Sequence, residues 1–175
     1  MASRPISSEE RRGAVAPGQR VDGVARLCGF FLLITLDTAG RVAQVQISES
    51  DPGPVQGRHP AAVQAVSTLE RWIRDPSAPA GLPRAPAPTL FQERLRQALL
   101  AMPPGEVVTY GHLARQLDTS ARAVGAGCRA NPLPLLVPCH RVVAATGPGG
   151  YAGNTQGVWV RFKRWLLDQE RALRW

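Results

Sequence analysis

The run Leu136-Val137-Pro138-Cys139-His140-Arg141-Val142-Val143 sets a thiol beside an imidazole and a guanidinium, between apolar residues that read as buried strand. Cysteine acts as a nucleophile only as thiolate, and with an ordinary pKa near ~8.5 few thiols are ionised at neutral pH. A neighbouring histidinium or arginine favours the charged form, each pKa unit being worth about 1.4 kcal/mol. Pro138 holds Val137 extended and so helps fix where the thiol points. The stretch reads as a reactive cysteine on a rigid element. The alternative is a buried cysteine serving as a small hydrophobe. Neighbours on a strand point to opposite faces, so coupling of Cys139 to His140 requires a bent backbone or a bridging water.

The surrounding chain limits what such a thiol can serve. With 175 residues, 44% of them hydrophobic, it can bury one ordinary domain or two small ones. The formal charge is +8, and Lys163 is the only lysine among the basic residues. Arginine suits phosphate and base-edge contacts because guanidinium is always charged and bonds bidentately. A GC-rich genome enriches arginine too, so the charge permits nucleic acid without requiring it. Cys28, Cys128 and Cys139 lie too far apart for a CxxC motif, and their odd number argues against a disulfide framework. His59, His112 and His140 form no HxxxH pair, so no metal site is expected. No stretch has the roughly 18 apolar residues of a membrane span, and residues 1–20 lack the apolar core of a secretory signal. A soluble, cytoplasmic protein is expected, with no membrane partner.

The elements that must position the thiol read as follows. Residues 1–22 are polar and form a disordered tail; 23–74 form a small N-terminal α/β domain; 75–88 are a Pro/Ala-rich linker; 89–175 form the C-terminal domain. In the first domain, Gly29–Leu36 is an apolar strand, Asp37–Gly40 a turn, and Arg41–Ile47 alternates at period two, which together make a hairpin. Ala61–Arg74 has helical spacing. In the second domain, Thr89 with Gln92 forms a capping box ahead of a helix that Pro103-Pro104-Gly105 ends. Short helices near Tyr110–Leu117 and Ser120–Ala130 then have helix-turn-helix spacing. The second contains Gly125 and Gly127, at a cost of about 1 kcal/mol each in helix propensity, and carries Arg122 and Arg129 on one face. Such a small-residue helix lies against another surface, either nucleic acid or a packed helix.

The region Thr89–Glu170 resembles the O6-alkylguanine-DNA alkyltransferase family. The resemblance is carried by Phe91-Gln92, Pro104 with Thr109-Tyr110, Ala121-Arg122-Ala123-Val124-Gly125, Asn131-Pro132, Pro138-Cys139-His140-Arg141-Val142, Gly150-Tyr151 and Leu166–Glu170, in order and near-family spacing. It implies an α+β fold: a small N-terminal α/β domain (β-hairpin plus helix), then a mostly helical, winged-helix-like domain with a helix-turn-helix. It also implies direct, single-turnover transfer of the alkyl group from O6-alkylguanine to Cys139 after base flipping, with no cofactor, and leaves O4-alkylthymine open as a second lesion.

By the same resemblance, His140 accepts the thiol proton through a water and Glu170 orients the imidazole. Tyr110 hydrogen-bonds the guanine ring nitrogen, and Asn131 fixes the geometry between DNA-reading and reacting elements. Arg122 replaces the extruded nucleotide, while Thr109, Ala123, Ala126, Gly127 and Arg129 face DNA. Val142, Tyr151 and Ala152 line the base pocket. The implied partner is double-stranded DNA carrying alkylated guanine, met by a monomer. The chain departs from the family at Cys128, where a larger apolar residue is common, and over residues 153–162, which read as a long loop bordering the pocket. Two competing functions are a non-catalytic, alkyltransferase-like lesion binder and a hydrolase with a Cys-His dyad. The former class lacks the cysteine, and the latter gives the Arg122 helix no purpose.

Overall fold

A computed structural model of the chain describes residues 20–55 and 59–172; the expected tail before Asp22 lies almost wholly outside the described residues. The described chain divides into two compact units, one running up to Glu70 and including Pro83–Ala85, the other comprising Arg71–Leu82 and the residues from Pro86 on. No helix among the described residues is long and apolar enough to cross a membrane.

In the first unit, β1 (Gly23–Leu27), β2 (Phe30–Leu36) and β3 (Val42–Ser48) form an antiparallel sheet in the order β1-β2-β3. The expected hairpin is β2–β3. Its turn is closed by the Asp37 carboxylate, which accepts from the N–H groups of Ala39 and Arg41 at 2.9 Å, and Gly40 takes the left-handed conformation at φ 75°. Strand β1 was not anticipated. It joins β2 through Cys28 and Gly29, both at positive φ (49° and 78°), the backbone of a two-residue hairpin turn. Helix α1 (Pro60–Glu70) buries Ala62, Ala65 and Leu69 and packs on β1 and β2. It stops four residues short of the expected end, and Trp72 belongs to the second unit.

The second unit contains α2 (Leu90–Leu100), β4 (Val108–Thr109), α3 (Tyr110–Gln116), α4 (Ala121–Arg129), β5 (Val142–Val143) and α5 (Val158–Ala172). Each of the first three helices starts on a hydroxyl cap: Thr89 accepts from Gln92 N, Thr109 from His112 N, and Ser120 from Ala123 N. Strands β4 and β5 pair in parallel, Val108 with Val142. Of the stretch read as linker, Ala78–Gly81 forms a 3₁₀ turn with Pro79 buried. Val42 N donates to Pro83 O and Ala85 N to Val42 O, which adds residues 83–85 to the edge of the first unit's sheet.

Two expectations near the thiol are corrected. Leu136–Val143 is not a strand: Leu135 sits at φ 69°, Cys139–Arg141 is a 3₁₀ turn, and only Val142–Val143 is extended. Pro138 has no N–H to offer a ladder, and the turn is instead closed by Arg141 N donating to Pro138 O at 3.1 Å. The alternation that would set Cys139 and His140 on opposite faces therefore does not apply. Residues 153–162 are likewise not one loop, because α5 already begins at Val158. Helix α5 buries Trp159, Val160, Phe162, Lys163, Leu166, Leu167 and Glu170, a period of 3.6 that brings two charged residues inside.

Candidate active site

Cys139 opens the 3₁₀ turn at the floor of a cavity of about 180 Å³, lined also by Tyr110, Gly125, Cys128 and Arg129 and, from the loop ahead of α5, by Gly150–Thr155. Cys139 is 6% exposed. Asn131, just past the end of α4, donates from Nδ2 to Cys139 Sγ at 3.3 Å and to Val137 O at 3.0 Å. Its Oδ1 accepts from Leu133 N at 3.1 Å. One amide thus ties the end of α4 to the turn that carries the thiol.

His140 is fully buried, its ring edge-on to Trp72 with centroids 5.9 Å apart. Nε2 lies 2.9 Å from Glu170 Oε1, and Nδ1 is buried without a protein partner. Glu170 also accepts from Arg141, through Nε at 3.0 Å and Nη2 at 2.8 Å, and from Gly105 N at 3.0 Å. Burial alone would raise the Glu170 carboxyl, but the hydrogen bonds from His140 and Arg141 hold it down at about 2. Burial pushes His140 below its usual range against the pull of Glu170. A neutral imidazole beside a permanent carboxylate places its proton on Nε2, which leaves the Nδ1 lone pair as the base.

The expected activation of the thiol by His140 and Arg141 as cations is corrected by this arrangement. Arg141 is spent on Glu170 and on Met102 O, to which its Nη1 donates at 2.6 Å. Burial pushes the Cys139 thiol up, and the groups that oppose it are the Asn131 amide and the Lys163 ammonium. Lys163, fully buried on α5, donates to Val142 O at 2.6 Å and Gly150 O at 3.1 Å, with its nitrogen 5.7 Å from the Tyr110 ring centroid. Burial lowers it to about 8 while the nearby thiols pull it up. Lys163 was missed as a site residue. The signal was there: it is the only lysine of the chain and lies seven residues before Glu170, two turns along the same helix face.

The remaining expected residues divide. Tyr110 and Tyr151 line the cavity. Tyr110 is raised to about 12 by burial and then by the two cavity thiols, so it keeps its proton. Tyr151 is buried with its hydroxyl unpartnered. Ala152 lines the mouth at φ 49°. Val142 is buried and is not among the lining residues; its carbonyl instead holds Lys163. On α4, Arg122, Ala126 and Arg129 share one exposed face, with Ala123 half-buried beside it. Gly127 turns the other way: a Cβ there would fall 2.5 Å from Leu95 Cδ2 and 3.2 Å from Phe91, so this glycine exists for the α4–α2 contact. Thr109 caps α3 and is not on the lining.

A family model for the DNA-binding domain of 6-O-methylguanine DNA methyltransferase matches residues 90–172. The methylated-DNA–protein-cysteine methyltransferase of Salmonella typhimurium is 49% identical over 85 residues, 47% of each chain. That of Mus musculus is 39% identical over 129 residues, covering 67% of this chain and 59% of the relative. The matched part thus spans about half the length of these curated relatives. Among solved structures, Mycobacterium tuberculosis OGT in complex with DNA superposes with a TM-score of 0.62 at 26% identity, covering 86% of this chain and 92% of that one. The fold, the order of site residues and the match over residues 90–172 agree, and that half of the chain is similar to the DNA-binding domain of the 6-O-methylguanine DNA methyltransferase family.

Proposed function

We propose that the protein repairs DNA by taking the alkyl group of O6-alkylguanine onto Cys139, once per molecule. The observation that carries this reading is a buried thiol at the floor of an open cavity, tied by Asn131 to a helix whose other face is exposed and arginine-bearing. A stacked base cannot reach such a thiol, so the nucleotide must swing out, at a cost of a few kcal/mol that is least for a badly paired lesion. Arg122 and Arg129 on the exposed face of α4 supply contacts to the duplex, with Arg122 standing in for the extruded base.

At rest the sulfur is a thiol. As it attacks the alkyl carbon, its proton passes to His140 Nδ1, directly or through one water, and the imidazolium is held by the Glu170 carboxylate. The alkyl carbon–O6 bond breaks and its electron pair moves into the guanine ring, where the Tyr110 hydroxyl hydrogen-bonds the ring nitrogen. The Lys163 ammonium and the Asn131 amide stabilise charge on sulfur during the attack. A thioether does not hydrolyse, so the protein is consumed. No step calls for a cofactor or metal. Lesion binding without chemistry is the less favoured reading, because the acceptor sulfur is present and oriented.

Cys139→Ala tests the assignment. The variant should bind duplex containing O6-methylguanine about as well as the parent and remove no methyl group. Loss of binding together with transfer would make Cys139 a structural residue.

A further inference from the structure

The cavity that holds Cys139 at its floor carries a second thiol in its wall, and alkyl transfer gives that thiol no task. Cys128, on the last turn of α4, lines the same space. Asn131 connects the two residues. Its backbone N–H donates to the carbonyl of Cys128 at 3.3 Å, and its side-chain amide donates to Cys139 Sγ at 3.3 Å. Asn131 therefore meets Cys128 through its main chain and the acceptor sulfur through its side chain. Cys28, the remaining cysteine, belongs to the other unit.

The two cavity sulfurs differ chemically. The Lys163 ammonium favours charge on both, and Asn131 in addition donates to Cys139. Among the described residues no such amide reaches Cys128, and burial keeps it protonated. A small electrophile entering the cavity meets Cys139 as the better nucleophile and Cys128 as a neighbour able to respond.

We propose that Cys128 and Cys139 form a reversible disulfide when a hydroperoxide enters the cavity, locking the acceptor sulfur in a form that cannot be alkylated and that a thiol reductant reopens. In the first step Cys139 sulfur attacks the terminal oxygen of hydrogen peroxide. The O–O bond breaks, a sulfenic acid forms, and the departing hydroxide takes the thiol proton as water. In the second, Cys128 sulfur attacks Cys139 sulfur. The S–O bond breaks, the S–S bond forms, and hydroxide leaves with the Cys128 proton as a second water. The two sulfurs lose two electrons between them and the peroxide gains them. The bond requires the two residues to face one space, and Cys128 and Cys139 both line this cavity. The benefit follows from single use. An acceptor oxidised to sulfinic acid is lost, whereas a disulfide is recovered by thiol exchange. The inference rests on Cys139 being the reactive sulfur.

The test uses the full chain carrying Cys28→Ser, with and without Cys128→Ser, treated with hydrogen peroxide. Intact mass, a non-reducing peptide map, and methyl transfer from O6-methylguanine duplex before and after dithiothreitol are the readouts. The Cys28→Ser protein should lose the mass of two hydrogens, yield a Cys128–Cys139 cross-linked peptide, and regain transfer on reduction. With Cys128→Ser added, Cys139 should instead gain oxygen atoms that dithiothreitol does not remove. Oxygen addition to Cys139 without a cross-link in the Cys28→Ser protein overturns the proposal. Should the reduced Cys28→Ser protein transfer no methyl group at all, the functional reading fails instead, and the cross-link still decides this inference by mass alone.

Discussion

Replacing Glu170 by Gln should destabilise the second unit through a charge left behind rather than a shape lost. The carboxylate faces His140, two nitrogens of Arg141 and the amide of Gly105, and both Glu170 and Arg141 are buried. Gln fills the same volume but leaves the Arg141 guanidinium without a counter-charge, a change that typically costs about 3–5 kcal/mol. A second estimate comes from the carboxyl itself. Its lowering from 4.5 to about 2, at about 1.4 kcal/mol per pH unit, corresponds to about 3 kcal/mol.

The sign follows from the depressed folded value: the folded protein binds this proton less readily than the unfolded chain. The contribution is therefore complete above pH 4.5 and is lost as pH falls toward 2. Urea unfolding at neutral pH should give an unfolding free energy for Glu170→Gln lowered by about 3 kcal/mol. A series in acid should show the parent losing stability over that window more steeply than the variant. A loss below about 1 kcal/mol, the range of an exposed ion pair, would refute the reasoning, as would identical acid slopes for the two proteins.

Further predictions concern α4, α5 and the duplex. Gly127→Ala should destabilise, because overpacking against Leu95 and Phe91 at about 1–3 kcal/mol outweighs a gain of about 1 kcal/mol in helix propensity. Gly125→Ala, where a Cβ meets nothing within 4 Å, should stabilise, and a reversed order of unfolding midpoints would contradict both assignments. Lys163→Gln removes a cation that favours the Cys139 thiolate, so the pH midpoint for alkylation of Cys139 by iodoacetamide should move up; an unmoved midpoint would show that the ammonium does not act on the sulfur. Arg122→Ala should slow repair in duplex DNA more than reaction with free benzylated guanine, since only the duplex needs a nucleotide displaced. Equal losses would remove Arg122 from that role.

Much of this arrangement was legible from residue types alone. Thr89 with Gln92 marks the start of α2, the apolar residues Val42, Val45 and Ile47 mark β3, and the composition from about Ser120 on marks α4. The failures have physical causes. Strand β1 was missed because its turn is Cys28-Gly29, and cysteine is not a residue expected at positive φ. The start of α5 reads as loop because two of the helix's seven buried positions carry Lys163 and Glu170, which breaks an apolar pattern. Arg141 reads as an activator of Cys139 because it is close in sequence, yet a guanidinium forks to the carboxylate that matches it, and that carboxylate is 29 residues away. Gly127 read as a DNA-facing residue, since sequence alone cannot tell a helix that lies on a duplex from one that lies on a neighbouring helix.

The central claim is that one sulfur accepts one alkyl group. Reduced protein incubated with an excess of duplex carrying isotopically labelled O6-methylguanine, then digested and mapped by mass spectrometry, tests it most directly. The account predicts one label per molecule, on the peptide bearing Cys139, with unrepaired lesion remaining in the excess DNA. Label on another residue, or more lesions repaired than protein molecules present, would contradict it.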